Sequence, residues 1–546
     1  MSNDEKFTEL QNKLINRVFE YNPAIAAYMG KEEYEKKVAN GTPENYSAFV
    51  SELTNFLKRF NEMDETQLNP ENRISYKVCQ HTLELFLFFH EEFPLWNREP
   101  FGLEDIQRTI FVLLQRKGPT ERVAEAIIAQ LEQIPQFLEE FRPRFKDVKI
   151  PKLWHETNLK MIKSTPQFLG YLEMIFQPAI NDQLKDALSK AINNTNAAIK
   201  SHTAWIQGLP VDEDEFAWAL GQKNFEKMLF LRKLPWDREK ILKTGYEQLD
   251  SLTKQVQEIA KKIDPTKTTD EVIEEINANQ PPTFEMVLEH AKQEAQRAKE
   301  YIQSHDLASI PDENLVITET PSYLAPIIPI AMYGPSPYYE PTQPGIYYIT
   351  RPSGEVSLAQ FGFHSYFSLP NIMAHESYPG HHLDFCWNNY AGSPLTLIAL
   401  FASTLGAETV EGWAHYCEEM MLDQGFHDEL GRDKVRLVIL LGQIWRAVRI
   451  IVDVELHCKQ RTVEDAIQLL IDRAKTEVQT ATAEVRRYTT APGYQLSYLI
   501  GKLLIQNLRH EVETKQGAQF KLKDFHDTIL KSGDLPYYML RELFDV

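Results

Sequence analysis

The stretch SLPNIMAHESYPGHHLDF, residues 368–385, holds three of the chain's fifteen histidines, His375, His381 and His382. Ser368 followed by Pro370 reads as a helix start, with the serine as cap and the proline in the first turn. A His–Glu dipeptide, His375–Glu376, closes the second turn. Neutral imidazole is a good zinc ligand, and a carboxylate beside it serves as general base toward water. The common arrangement places a second histidine four residues on, so that both rings share one helix face. Here that position is Pro379. Proline removes the hydrogen bond back to the His375 carbonyl and kinks the chain, and Gly380 adds local freedom. A local bulge at Pro-Gly would swing His381 into the place of the second ligand. His382 is the rival, but in a regular helix it stands about 10 Å above His375. His381 is preferred and His382 is kept open.

A third ligand has to come from another segment. The run GAETVEGWAHYCEEMM, residues 406–421, sits in an otherwise apolar helix that begins near Pro394. Glu408, Glu411, His415 and Glu418 follow one another at spacings of 3, 4 and 3, one stripe along a helix. Buried carboxylates are costly unless paired or bound to metal. Glu411 is the choice for the third ligand, with Glu408 or His415 supporting it, and Gly412 admits another backbone at close range. Further on, EVRRYTTAPGYQLSYLIGK (residues 484–502) offers Tyr498 and Arg487 as donors to an oxyanion, with Tyr488 and Tyr494 as rivals. Tyr494 is also a candidate substrate contact. His526 reads as structural.

Outward from these motifs most of the chain has helical period, as in Thr120–Phe141, Phe284–Ser304, Asp428–Lys459 and Val463–Tyr488. The period fails over 310–369, where IIPIAMY (327–333) and GIYYIT (345–350) are strand-like. These patterns divide the chain into an N-terminal helical lobe, 1–309, and a catalytic part, 310–546. The strand Ile346–Thr350 is expected to pair with an extended peptide, which makes Tyr348 a substrate contact.

Composition narrows the function classes. Of 546 residues 43% are hydrophobic and 25% charged, as in an ordinary globular protein, and the formal net charge of −20 argues against nucleic-acid binding. The four cysteines form no CxxC pair, which suits a reducing compartment. The N-terminus has no basic region followed by an apolar run, and no stretch of 18 apolar residues occurs. The expectation is a cytoplasmic protein without membrane contact.

The pieces HESYPGHHLD, EGWAHYCEE, RYTTAPGYQLSYLIG, FHDTILKSGDLPYYML and QPGIYYI, spanning about Tyr339 to Leu540, resemble the bacterial family catalogued as domain of unknown function 885, a relative of the zincin peptidases. The family pattern is close to HExxPGHHLQ, so Asp384 stands where glutamine is usual, and Tyr494 stands where glutamine commonly follows Pro-Gly. The resemblance implies a mainly α fold, a large helical protein with a small β-sheet insert beside a zincin-like active-site cleft holding a His, His, Glu site. The combined reading is a zinc-dependent hydrolase of the metallopeptidase kind. His375, His381 and Glu411 hold Zn2+, Glu376 is the general base, and the substrate is a peptide or a small amide. A metal- or ligand-binding scaffold without turnover is the alternative, and a redox metal oxygenase fits less well.

Overall fold

The computed structural model describes residues 2–328, 330–352, 364–401 and 407–546. The chain is mainly α-helical with small sheets, and it divides into two compact units. One comprises Met1–Ala219 with Ser322–Pro326, the other Leu220–Pro321 with Ile327–Val546. The boundary expected near 310 followed the loss of helical period. The division after Ala219 follows packing instead: Arg238–Ile263 lies along the long helix Asp428–His457, and Phe284–Ser304 packs on the helix Ser368–Glu376.

In the first unit, helix starts coincide with polar caps. Ser2 and Glu5 form a capping box, Thr120 Oγ1 accepts the Val123 N–H, and Asn69 Oδ1 accepts the Asn72 N–H at 2.8 Å. Glu121–Phe141 and Lys152–Phe176 each pack on Asp182–Gln207, burying Leu131, Leu138, Leu169, Ile192 and Ile199.

The second unit is built on Asp428–His457. Its buried Ile450 and Ile451 press against Gly245, where a side chain would meet them at 3.0 Å. The irregular stretch contains a three-stranded sheet with Gly345–Ile349 in the centre. Leu315–Glu319 pairs with it in parallel, and Ala331–Gly334 pairs on its other edge in antiparallel. One face, carrying Ile317, Tyr347 and Ile349, packs on Val287, Ala291, Leu369 and Met373 of the two helices beneath it. The expected helix Val463–Tyr488 is two helices, Val463–Ala474 and Val478–Tyr488, because Lys475 adopts a left-handed conformation that ends the first. The run expected to be helical from Pro394 is likewise divided, into Pro394–Phe401 and Val410–Asp423, and 402–406 lie outside the described residues.

The close approach expected at Gly412 is present. A Cβ there would stand 2.7 Å from Gly501 Cα in the helix Leu499–Gln516, and one on Gly501 would strike the Glu408 carbonyl. The two helices therefore cross backbone to backbone. Gly501→Ala is expected to lower stability by about 1–3 kcal/mol through overpacking, read as a lower urea midpoint. Gly170→Ala, in a helix where a Cβ would meet nothing within 4 Å, is the control and is expected to be neutral or stabilising.

Candidate metal centre

The helix Ser368–Glu376 has Pro370 in its first turn as expected, but Ser368 is its first residue and not its cap: Phe367 holds the cap position without a side-chain cap, and Ser365 Oγ accepts the Ser368 N–H at 3.0 Å. It stops at Glu376. Ser377 leaves helical geometry (φ −115, ψ −88), the Tyr378–Pro379 bond is cis, and Gly380 lies so close to the His375 carbonyl that a Cβ would collide with it. A separate helix then runs His381–Ala391. The expected bulge is therefore a complete break between two helices. Trp413 Nε1 holds it by donating to the Pro379 carbonyl at 2.8 Å. The break brings the rings of His375 and His381 to 4.8 Å between centroids at 89°. His382, about 100° further round the helix, faces away.

Single ligand atoms of His375, His381 and Glu411 all lie within 4.8 Å of one another, and His381 Nε2 stands 3.5 Å from Glu411 Oε2. His375 Nδ1 is 2.8 Å from Glu418 Oε1. An ionised carboxylate only accepts, so Nδ1 carries the proton and Nε2 keeps its lone pair. Glu418 also accepts from His415 Nδ1 at 3.1 Å and Asn371 Nδ2 at 3.2 Å, and faces Arg446 at 3.5 Å. Burial raises its pKa, but His415, Arg446 and His375 outweigh burial and hold it well below the usual carboxylate range. Glu411 is treated alike. Burial opposes its charge, yet the hydrogen bond and charge of His381, with His375 and Arg449 behind, hold it at about 2. Two imidazoles and one ionised carboxylate whose ligand atoms lie this close together suit a divalent metal ion. The donor set fits.

The supporting carboxylate is therefore Glu418, with His415 behind it. Glu408 is paired with Arg232, whose Nη1 donates to the Gly493 carbonyl at 2.8 Å, so it anchors the Pro-Gly turn instead. Asp453 Oδ1 accepts the Gly493 N–H at 3.1 Å and holds the same turn. Out of that turn comes Tyr494, whose hydroxyl donates to Glu411 Oε1 at 3.4 Å. Tyr498 lies beside it, ring to ring at 6.1 Å. Burial, then the nearby Glu411 charge, pushes the Tyr498 phenol up to about 12, so it stays a donor at neutral pH.

The structure places two expected site residues and the expected peptide-pairing strand as follows. Arg487 directs Nη2 to Glu484 at 3.0 Å and is 45% exposed; the guanidinium stacked on Tyr498 belongs to Arg449, at 4.7 Å from the ring. Tyr348 does not share the face of the strand that meets the His375 helix. Side chains alternate across a strand, and Tyr347, which feels the Glu376 charge, occupies that face. Gly345–Ile349 also has both edges paired, so no peptide can add to it. Glu376 ends its helix half-buried, and among the described residues no hydrogen bond holds its carboxylate. Asp384, the departure from the family pattern, meets the buried Asp534; burial first, then mutual repulsion, raises its pKa well above the carboxylate range. His526 is buried between the Tyr416 hydroxyl at 2.9 Å and the Leu307 carbonyl at 2.7 Å, a structural role as expected.

A second group, Glu313, His382 and Cys386, has ligand atoms equally close. Here the hydrogen bonds are already closed. His382 Nε2 is 2.5 Å from Glu313 Oε2 and its Nδ1 is 2.9 Å from the Tyr333 hydroxyl. Tyr378 and Lys299 both donate to Glu313 Oε1. Nothing in the sequence singled out Glu313, which follows Asp312 in the loop before the strand Leu315–Glu319.

Two solved structures share the whole fold. One is a candidate lipoprotein from Colwellia psychrerythraea, 19% identical, with a TM-score of 0.83 over 100% of this chain and 99% of that one. The other is a candidate lipoprotein of unknown function from Shewanella oneidensis, 18% identical, with a TM-score of 0.78 over 99% of this chain and 100% of that one. These neighbours, both named as lipoproteins, overturn the cytoplasmic placement expected from the sequence. The four cysteines are buried and outside any disulfide, and such thiols fix no compartment. Among the described residues no helix is long and apolar enough to cross a membrane. Curated proteins gave no match. A family model, described as bacterial protein of unknown function (DUF885), matches residues 23–544, and the chain belongs to that family.

Proposed function

We propose that the protein is a zinc-dependent hydrolase, a metallopeptidase-like enzyme that cleaves peptide or related amide bonds, with the catalytic residues in 310–546 and a zincin-like site. The observation that carries this reading is the convergence of His375, His381 and Glu411 beside Glu376, a carboxylate that no hydrogen bond ties down among the described residues. A scaffold that merely held a metal would have no use for that unoccupied base.

His375, His381 and Glu411 are the residues that would hold the ion. Zinc, when bound, supplies Lewis-acid activation of water and of the scissile carbonyl. Glu376 accepts the proton of the attacking water and returns it to the leaving amine. The phenol of Tyr498, with Tyr494 beside it, donates to the oxyanion that develops on the carbonyl. Glu418 fixes the tautomer and the plane of the His375 ring throughout. Water access to the base is retained because Glu376 is only partly buried.

Zinc-loaded protein is expected to cleave members of a peptide library. Glu376→Gln should lower the rate by about 10²–10⁴-fold while elemental analysis finds the metal retained. His375→Ala should lose metal and activity together. Full activity in Glu376→Gln would remove the hydrolytic mechanism, and loss of zinc from it would make Glu376 a ligand.

A separate measurement addresses the supporting carboxylate. Glu418→Gln keeps the shape but cannot orient His375 as an ionised acceptor, and should weaken zinc binding roughly 10–100-fold in a chelator competition. Unchanged affinity would leave Glu418 a packing residue.

A further inference from the structure

Next to the candidate centre, beyond the tyrosine pair, lies a group of cationic and aromatic side chains that the proposed hydrolysis does not use. Tyr494 touches Glu411, the Tyr498 ring lies against Tyr494, and the Arg449 guanidinium stacks on Tyr498 at 4.7 Å and on Trp445 at 4.7 Å. Arg449 is held in place from behind. Its Nε donates to the Tyr488 hydroxyl at 2.9 Å and its Nη2 to Glu484 Oε2 at 2.8 Å. Among the described residues, its Nη1 has no hydrogen-bond partner.

The charges here do not balance. Arg487 also pairs with Glu484, so at this end of the site two guanidinium groups share one carboxylate, and the other acid Arg449 faces, Glu411, lies farther off and is already bound to His381. Arg449 is 11% exposed and Arg487 45%, so the surplus sits at the edge of the buried site. A fixed guanidinium between two rings is a planar fork suited to a second carboxylate. Apart from Glu376, the base of the proposed hydrolysis, the acids around the centre are committed: Glu411 to His381, Glu418 to His375 and His415, and Glu484 to the two arginines. Glu376, the acid left without a hydrogen bond among the described residues, is assigned to the attacking water, so at the arginine end a carboxylate meets the open Nη1 of Arg449 whereas an amino terminus meets only the paired Glu484.

We infer that Arg449, with Arg487 beside it, binds the free α-carboxylate of the substrate, so that the enzyme removes residues from the C-terminal end of peptides. This deepens the hydrolase reading and rests on it. Arg449 is then a specificity-determining residue, and the tyrosine pair spans the distance between the cleaved bond and the carboxylate. Cleavage consumes one water per amide bond and leaves a new terminal carboxylate on the shortened peptide, which is again a ligand for the same arginines.

The test uses full-length, zinc-loaded Glu376→Gln protein and titration calorimetry, so that binding is read without turnover. The probes are one N-acylated dipeptide as the free acid, the same dipeptide as its C-terminal amide, and an amide ending in glutamate. The free acid is expected to bind about tenfold or more tighter than either amide. Arg449→Met in the same background should erase that preference, and Arg449→Lys, which keeps the charge without the fork, should retain part of it. Equal binding of acid and amide, or a preference that survives Arg449→Met, would overturn the inference. So would binding by the glutamyl amide as tight as by the free acid, which would mean recognition of acidic side chains, or no binding by any probe. A preserved preference for the free acid alongside an absence of hydrolysis by the parent protein would count against the hydrolase reading alone.

Discussion

Everything at the centre depends on a helix that is not allowed to continue. Five residues separate His375 from His381, a spacing that in an unbroken helix sends the two rings to different faces. Pro379 denies the helix its hydrogen bond, and Gly380 permits a fold-back onto the His375 carbonyl that no side chain would tolerate. The chain restarts as a second helix at His381 itself. Trp413, two residues from Glu411 on the helix Val410–Asp423, closes the break by bonding to Pro379. The element that supplies the third donor thus also holds the geometry of the first two.

The electrostatics follow from the same packing. Glu418, buried, and Glu411, half-buried, are acids on one helix; His381 across the break offsets Glu411, and His415 on the same helix with His375 across from it offsets Glu418. Removing carboxylates from water costs several kcal/mol apiece unless opposite charge and hydrogen bonds are in place. Here they are supplied in layers: histidines first, then Arg446 behind Glu418 and Arg449 behind Glu411. His382 draws on a separate carboxylate, Glu313, itself paired with Lys299. Adjacent histidines on one helical turn are therefore divided between two networks with little in common beyond the backbone that joins them.

Much of this was legible in the sequence because it is local. The helix before Pro379, the preference for His381 over His382 and the choice of Glu411 from an acidic stripe rest on helical spacing and proline chemistry, and the structure brings those three side chains together. What could not be read is what depends on distant chain. Glu418 lay in the stripe, but its role appears only once His375 is seen against it. Arg449 lies on a long amphipathic helix where nothing marks one arginine from another, while Arg487, nearer the Pro-Gly motif, points to Glu484. Strand composition identified Gly345–Ile349, but periodicity is silent about which strands flank it, and the pairing on both edges removed the peptide-binding role given to it. The cytoplasmic expectation failed for a related reason, since unpaired thiols describe chemistry within the fold and not its surroundings.

The crossing of Gly412 and Gly501 carries a further consequence for how this centre can change over time. Glu411 stands one residue from a place where two main chains touch, so its height relative to the histidines is set by peptide groups. Elsewhere in a core, a donor's position can drift by small exchanges of side-chain volume, leucine for methionine or valine for isoleucine. At this crossing no such gradation exists: the smallest alternative to glycine is already a methyl group too many. The spacing of the centre is therefore quantised, held constant through sequence divergence in the surrounding helices or lost in a single step.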